Sequence, residues 1–447
     1  MHNAAYDPLA FLLGSVEHLR PPIPPDVASF PPPAWNSQYD ACFLLGDGGQ
    51  PSAHLLYERG ARRIVVYLPH GSASGYPEGT KIVRTLHELS QAIKSWKADP
   101  PGHYLIQPFE ELPDLQKACM GIKQEIDCAN INVNVVAQFA DTWRRNGIAN
   151  LPAMAKLAHA GDLRWERKPC VIVGPGPSLT KNKHLLREVK EKGTAIIAAL
   201  PHAVAPISDV CAPDIVVCCD SQEAEMDHFI GMDMAKVRAL VLSATVDPKL
   251  YALPTQYKFS FLSNYPMDQW IQDVLGETHF VPGAGSVTST LVSFAVAKWN
   301  CNPIIMIGQD LAFKDYGQGQ MEQYAEGFSE ALEATPVKDW QMTPGFYGEP
   351  VFTSSWYLHV LLWLSGFPEA CMGTKEKPGP RYGWKFINAT EGGASIPNWQ
   401  QMSFSEALSQ FCTRKIDIDG ELWRVKNTAN HIRERQILKR MRKAGLS

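Results

Sequence analysis

No run in this chain approaches the roughly 18 consecutive apolar residues of a membrane-spanning helix, so no membrane segment is expected. The N-terminus lacks a charged stretch followed by an apolar core, so no secretory signal is read. The 10 cysteines are scattered over 447 residues, with only Cys218 and Cys219 adjacent and no C-x-x-C pair. That argues against a disulfide framework or a zinc ribbon and for reduced thiols in a cytoplasmic protein. A formal net charge of −4 gives no whole-chain attraction to nucleic acid. Internal repeats are absent.

The most informative stretch is Cys-Val-Ile-Val-Gly-Pro-Gly-Pro-Ser-Leu-Thr, residues 170–180. An apolar run, Val171–Val173, reads as a buried parallel strand. It turns through Gly174 to Ser178 into a helical segment, Lys181–Lys192. Such a turn presents free backbone N–H groups and the positive end of a helix dipole, which suits an anion such as a nucleotide phosphate. Leu179 stands where the dinucleotide fingerprint needs its third glycine, and the Gly-Lys-Ser/Thr end of a P-loop is missing. Ser178 is placed either to cap the helix or to donate to a phosphate oxygen. An ordinary strand–helix turn is the competing reading.

Organisation along the chain suggests four parts. Residues 1–112 read as a small N-terminal α/β domain with a proline-rich arm, Pro21–Pro33, and short strands at 42–45 and 64–68. Residues 113–165 read as a helical bridge, interrupted near Gly147. Residues 166–325 read as a Rossmann-like nucleotide-sugar domain, and 326–447 as a helical C-terminal cap with a basic tail. Continuous apolar runs at 171–173, 195–198, 214–219, 240–243, 258–262 and 303–308 alternate with helical segments. They predict an α/β fold with a central doubly wound, mostly parallel sheet buried on both faces. Ligands bind such sheets beyond the carboxyl ends of the strands. Gly174–Ser178, Pro201-His202, Asp220–Gln222 and Gly308–Asp310 should converge there, and Gly283–Thr288 offers a second anion nest.

Six motifs in order resemble one family: Gly-Pro-Gly-Pro-Ser-Leu at 174–179, Ala-Pro-Asp at 212–214 followed by Asp220, and Gly-Ala-Gly-Ser-Val at 283–287, then Ile-Gly-Gln-Asp-Leu-Ala at 307–312, Phe-Thr-Ser-Ser at 352–355 and Ile-Asn-Ala-Thr-Glu-Gly-Gly-Ala at 387–394. Together they are similar to the Maf (motility-associated factor) flagellin glycosyltransferases, whose central domain is shared with 6-hydroxymethylpterin diphosphokinase-like proteins. The resemblance covers roughly residues 115–410. It implies transfer of a nonulosonic acid sugar, such as pseudaminic or legionaminic acid, from its CMP-activated form to Ser or Thr hydroxyls of flagellin or another protein acceptor. The loop at 174–179 is also similar to the nucleotide loop of bacterial sialyltransferases. No cofactor is required on this reading, since backbone amides and hydroxyls can stabilise a departing nucleoside monophosphate. Asp417-Ile418-Asp419 has the spacing of a metal-holding Asp-x-Asp but lies outside the sheet and reads as a solvated turn. No metal site, membrane partner or nucleic-acid partner is expected.

The resemblance implies roles. Gly174, Gly176, Pro177 and Ser178 would cradle the phosphate. Asp220 would accept from ribose hydroxyls or the cytosine amine, or cap the following segment. Gly283, Gly285 and Ser286 would hold the phosphate or the sugar carboxylate, or open a helix that Ser286 caps. Gln309 and Asp310 would meet donor sugar or acceptor. Thr353, Ser354, Asn388, Thr390 and Glu391 belong to polar motifs placed beyond the sheet. A base near the operating pH is needed for the acceptor hydroxyl; the candidates are His202, His279, His359, Asp310 and Glu391. An ATP- and Mg²⁺-dependent pterin diphosphokinase, resting on Asp220 and Asp310, and a non-catalytic nucleotide- or flagellin-binding adaptor are the alternatives.

Overall fold

The computed structural model describes residues 40–61, 63–96, 101, 104–109, 115–263, 268, 271, 281, 286–315, 321–322, 340–373, 375, 377–428, 439–440 and 442. The chain divides into two compact units, Leu13–Gln138 and a larger one containing Phe139–Ser447.

The smaller unit carries four short strands: β1 (Ala41–Leu45), β2 (Ile64–Tyr67), β3 (Lys81–Val83) and β4 (Tyr104–Pro108). They form a parallel sheet in the order β3-β2-β1-β4. Alternate residues of β1 feed opposite faces, Phe43 and Leu45 into one apolar cluster and Cys42 and Leu44 into the other.

The larger unit is built on a nine-stranded sheet. Its strands are β5 (Ala158–His159), β6 (Cys170–Val173), β7 (Ile196–Ala199), β8 (Ile215–Cys218), β9 (Ala239–Ser243), β10 (Tyr257–Phe261) and β11 (Ile304–Ile307). Two antiparallel pairs follow: β12 (Lys314–Asp315) with β13 (Met321–Glu322), and β14 (Trp340–Pro344) with β15 (Pro350–Ser354). The last sheet strands are β16 (Phe386–Asn388) and β17 (Gln400–Gln401). The order is β17-β16-β11-β6-β7-β8-β9-β10-β5, and all neighbours are parallel. Cys170, Ile172, Ile304 and Met306 enter one core cluster, while Val171, Val173, Ile305 and Ile307 enter the other. Both faces are therefore covered, which is why these strands read as unbroken apolar runs rather than alternating ones.

Two expectations need correction. Asn388 lies within the sheet and not beyond it: it ends β16 and pairs with Met306 of β11. The Phe-Ile-Asn strand is three residues long, too short for any period to show. The bridge does not break near Gly147: one helix runs Leu115–Met154. One glycine costs such a helix only about 1 kcal/mol, and tertiary anchoring offsets it. Asn146 Nδ2 donates to the carbonyls of Ser221 and Thr245, and Asn150 Nδ2 to those of Ala244 and Val246. Two asparagines four residues apart thus satisfy four carbonyls in the loops that follow β8 and β9. Among the described residues no helix is long and apolar enough to cross a membrane.

Candidate functional site

Chain order runs outward from β6 in both directions, through β7 on one side and β11 on the other, so β6/β11 is the topological switch point. The crevice beyond the carboxyl ends of these two strands is where a doubly wound sheet accepts a ligand. Gly174–Ser178 leaves β6 here and Gly308–Asp310 leaves β11. The two loops close on each other. Gly174 N–H donates to the Ile307 carbonyl at 2.9 Å, and Gly176 N–H to the Gly308 carbonyl at 2.7 Å. Ser178 N–H and Oγ–H donate to the two carboxylate oxygens of Asp310 at 3.1 and 2.6 Å.

This changes the reading of the loop. Its N–H groups are not free for a phosphate, because carbonyls and the Asp310 carboxylate already take them. Asp310, only 7% exposed, is an internal anion at the position expected for a ligand's. Ser178 makes no capping bond to the helix behind it. Packing is as tight as the bonding. A Cβ on Gly174 would lie 2.5 Å from the Gly308 carbonyl oxygen, and one on Gly392 would lie 2.9 Å from Ser178 Cβ. Gly308 itself has φ +63°, a conformation glycine adopts without strain. Ser178→Ala removes a buried bond to a charged acceptor and should cost about 1.5–3 kcal/mol. A denaturation midpoint unchanged by that substitution would show that the hydroxyl carries no such bond.

The remaining polar motifs gather around this floor. Gln309 is buried; its Oε1 accepts from Thr288 Oγ1 at 3.0 Å and its N–H donates to Thr390 Oγ1 at 3.3 Å. Asn388 Oδ1 accepts from Thr390 N–H. Glu391, at φ +58°, spends Oε1 on Asn182 Nδ2 and Phe404 N–H, and its carbonyl accepts from Lys181 Nζ and Tyr347 Oη. Thr353 Oγ1 donates to the Leu311 carbonyl, and Ser354 caps the helix Ser355–Met372. Gly174, Gly176, Pro177, Ser178, Gln309, Asp310, Asn388, Thr390 and Glu391 are thus drawn to one edge, most of them tied to each other.

Asp220 and Ser286 take the local roles that were the competing readings. Asp220 accepts from Gln222 N–H at 3.0 Å. Ser286 forms a capping box with Ser289 at the start of the helix Val287–Ser293. Gly283, Gly285 and His279 lie outside the described residues. Asp417 accepts from Gly420 N–H at the start of the helix Ile418–Thr428, and Asp419 pairs with Arg238 at 3.3 Å, so this Asp-x-Asp opens a helix.

His202, at the N-terminal end of the helix Pro201–Ile207 after β7, faces residues that the sequence reading passed over. Its ring lies against His228, centroids 3.7 Å apart and inclined by 38°. Glu225 Oε2 is 3.7 Å from His228 Nε2. Burial, reinforced by His228, pushes the His202 imidazole down to about 3, which keeps the ring neutral at neutral pH. Burial and the charge of Asp220 raise the Glu225 carboxyl to about 8. Burial also lowers His228. The only sequence signal was Glu-x-x-His at 225–228, which aligns two side chains on one face of a helical turn but is too short to stand out.

The fold defines a doubly wound α/β protein with a crevice at the switch point of its larger sheet. Residues 145–316 match the family described as 6-hydroxymethylpterin diphosphokinase MptE-like. Among solved structures, the chain is similar to a Maf glycosyltransferase from Magnetospirillum magneticum AMB-1, with 13% identity and a TM-score of 0.55. That likeness covers 94% of this chain, which spans 65% of the other's length. No curated protein matches the sequence. The chain thus carries an MptE-like domain within a Maf-type fold, as the six motifs led us to expect.

Proposed function

We propose that this protein is a glycosyltransferase that moves a nonulosonic acid sugar from a CMP-activated donor to Ser or Thr hydroxyls of a protein acceptor such as flagellin. The observation that carries this reading is the likeness of nearly the whole chain to a Maf glycosyltransferase. The crevice supports it, since three motif loops, 174–178, 308–310 and 388–391, meet at the switch point. On this reading Gly174–Ser178 and Gly308–Asp310 form the rigid floor of the donor site rather than its phosphate cradle. Pro177, Gln309 and the Asn388–Glu391 turn border that floor. No base is assigned: Glu391 is held by Asn182 and Phe404, and Asp310 by Ser178. The nine cysteines among the described residues are all unpaired, which supports a reaction in the reducing cytoplasm.

The family match favours a second reading, ATP-dependent pyrophosphoryl transfer to a pterin. That chemistry relies on divalent metal held by carboxylates. Magnesium in such reactions is held by one or two carboxylates together with the substrate phosphates, and Asp220 and Asp310 are the carboxylates this reading would use. Calorimetric titration with CMP and then ATP, each with and without Mg²⁺, separates the two. Metal-independent CMP binding is expected. Mg²⁺-dependent ATP binding with no response to CMP would overturn the transferase and establish the kinase-like reading.

A further inference from the structure

The transferase reading leaves one cluster unused. His202, Glu225 and His228 each offer one ligand atom, and the three atoms lie within 4.8 Å of one another. They come from different elements. His202 opens the helix after β7, while Glu225 and His228 share one turn of the 3₁₀ segment Glu223–Phe229 after β8. All three therefore stand beyond the carboxyl ends of adjacent parallel strands.

Two features set this cluster apart from a chance meeting of polar groups. Glu225 is only 3% exposed, yet its Oε1 has no hydrogen-bond partner. A buried carboxylate oxygen left bare is costly, and native structures rarely keep one without a reason. The charges that act on Glu225 and His228 are those of Asp220 and Asp227, both acidic. Two imidazoles and a carboxyl side by side, next to further carboxylates, gather metal-donor atoms in an acidic setting.

We propose that His202, Glu225 and His228 form a binding site for a divalent transition metal of the zinc class. The donor set is two imidazole nitrogens and one carboxylate oxygen. Imidazole selects zinc, cobalt or nickel, whereas magnesium and calcium prefer oxygen alone. Zinc–ligand bonds of about 2.0–2.2 Å set tetrahedral donor atoms about 3.4 Å apart, so the His228–Glu225 pair at 3.7 Å needs little adjustment, and a pair at the outer limit of 4.8 Å must close by rotation of the His202 ring or its neighbours. Two histidines and a glutamate leave the fourth tetrahedral position open, as in catalytic rather than structural zinc sites. That position suits a water or an anionic oxygen, such as that of a phosphate or carboxylate. Binding converts the carboxylic acid to a ligand carboxylate and releases its proton to solvent. The site stands whether or not the chain transfers a sugar.

The test is titration of the full chain with Co²⁺, whose visible absorption reports geometry and donor type. One Co²⁺ per chain is expected, with strong tetrahedral d–d bands and without the near-ultraviolet thiolate charge-transfer band that bound cysteine would add. Excess Zn²⁺ should abolish the bands. His228→Asn and Glu225→Gln should each weaken binding by about tenfold or more, since even outer partners of metal ligands matter that much. Uptake that shows thiolate bands, or that survives both substitutions, would place the metal on cysteines and overturn the proposal. If the variants do not fold, the wild-type spectrum decides. Weak octahedral bands like those of the free ion, or no uptake, would equally overturn it.

Discussion

Gly176→Val should destabilise the larger unit by about 3–5 kcal/mol. A Cβ at this position would fall on the Asp310 carboxylate and lie 2.7 Å from the Gly308 carbonyl oxygen. Neither neighbour can step aside. The Gly308 carbonyl is held by the Gly176 N–H itself, and Asp310 by both donors of Ser178. Behind Asp310 lies Gly393, where a Cβ would collide with the Asp310 backbone. Overpacking costs about 1–3 kcal/mol, and an opened Ser178–Asp310 bond adds about 1.5–3. Gly366→Ala is the control, since it sits within the helix Ser355–Met372 with nothing near its added Cβ. It should be neutral or stabilising by up to about 1 kcal/mol. Denaturant midpoints at equal slope compare the two. A loss below about 1 kcal/mol for Gly176→Val would mean that the β11 loop yields, and that the floor is not locked. The result bears on function as well. Loss of nucleotide binding in a bulky Gly176 variant would report a broken floor and says nothing about contact with a ligand.

The fold was more legible than the site, for a physical reason. A parallel strand covered on both faces is apolar at nearly every position, so β6, β7, β8, β9 and β11 each left an almost unbroken run in the sequence, whereas β10, Tyr-Lys-Phe-Ser-Phe, alternates. Strands of two or three residues, such as Ala158–His159 and Phe386–Asn388, leave no run and were missed. At the site, residue types marked the right edge of the sheet but not the bonding. Gly-Pro-Gly-Pro-Ser reads equally as a phosphate loop or as a loop packed against its neighbour. Only the approach of Gly308–Asp310, some 130 positions later, decides which groups remain to bind anything. Asp220 and Ser286 show the same ambiguity resolved locally, by an Asx turn and a capping box. The His202–Glu225–His228 cluster was invisible because its members are separated in sequence and meet only through the pairing of β7 with β8.

Asp214→Ala should cost about 3–5 kcal/mol while leaving the ligand edge intact. Asp214 is the last residue of the Ala-Pro-Asp motif and precedes β8, so it lies at the amino end of the sheet, opposite the crevice. It is 1% exposed. Its Oδ2 accepts from Ile197 N–H at 2.9 Å, and its Oδ1 from Lys190 Nζ at 2.6 Å and Arg238 at 3.1 Å. Its backbone donates to the Ile197 carbonyl and accepts from Ala239 N–H, so one residue ties β7, β8 and β9 together at their start. Removing the carboxylate strands a buried N–H and leaves Lys190 beside Arg238 without their shared anion, Arg238 keeping only the exposed Asp419. Breaking a buried pair from one side costs about 3–5 kcal/mol. The Lys190 and Arg238 side chains are 24% and 29% exposed, which lets water recover part of the loss and favours the lower half of that range. Asp214→Asn keeps a group that can still accept from Ile197 N–H and loses only the charge, so it should cost less than the alanine. Denaturation of both variants, with calorimetric nucleotide binding measured on the asparagine form, separates scaffold from chemistry. Unchanged binding with reduced stability is the expected pair of results. Lost binding in a fully folded Asp214→Asn would move this motif from the frame of the sheet to the ligand's side.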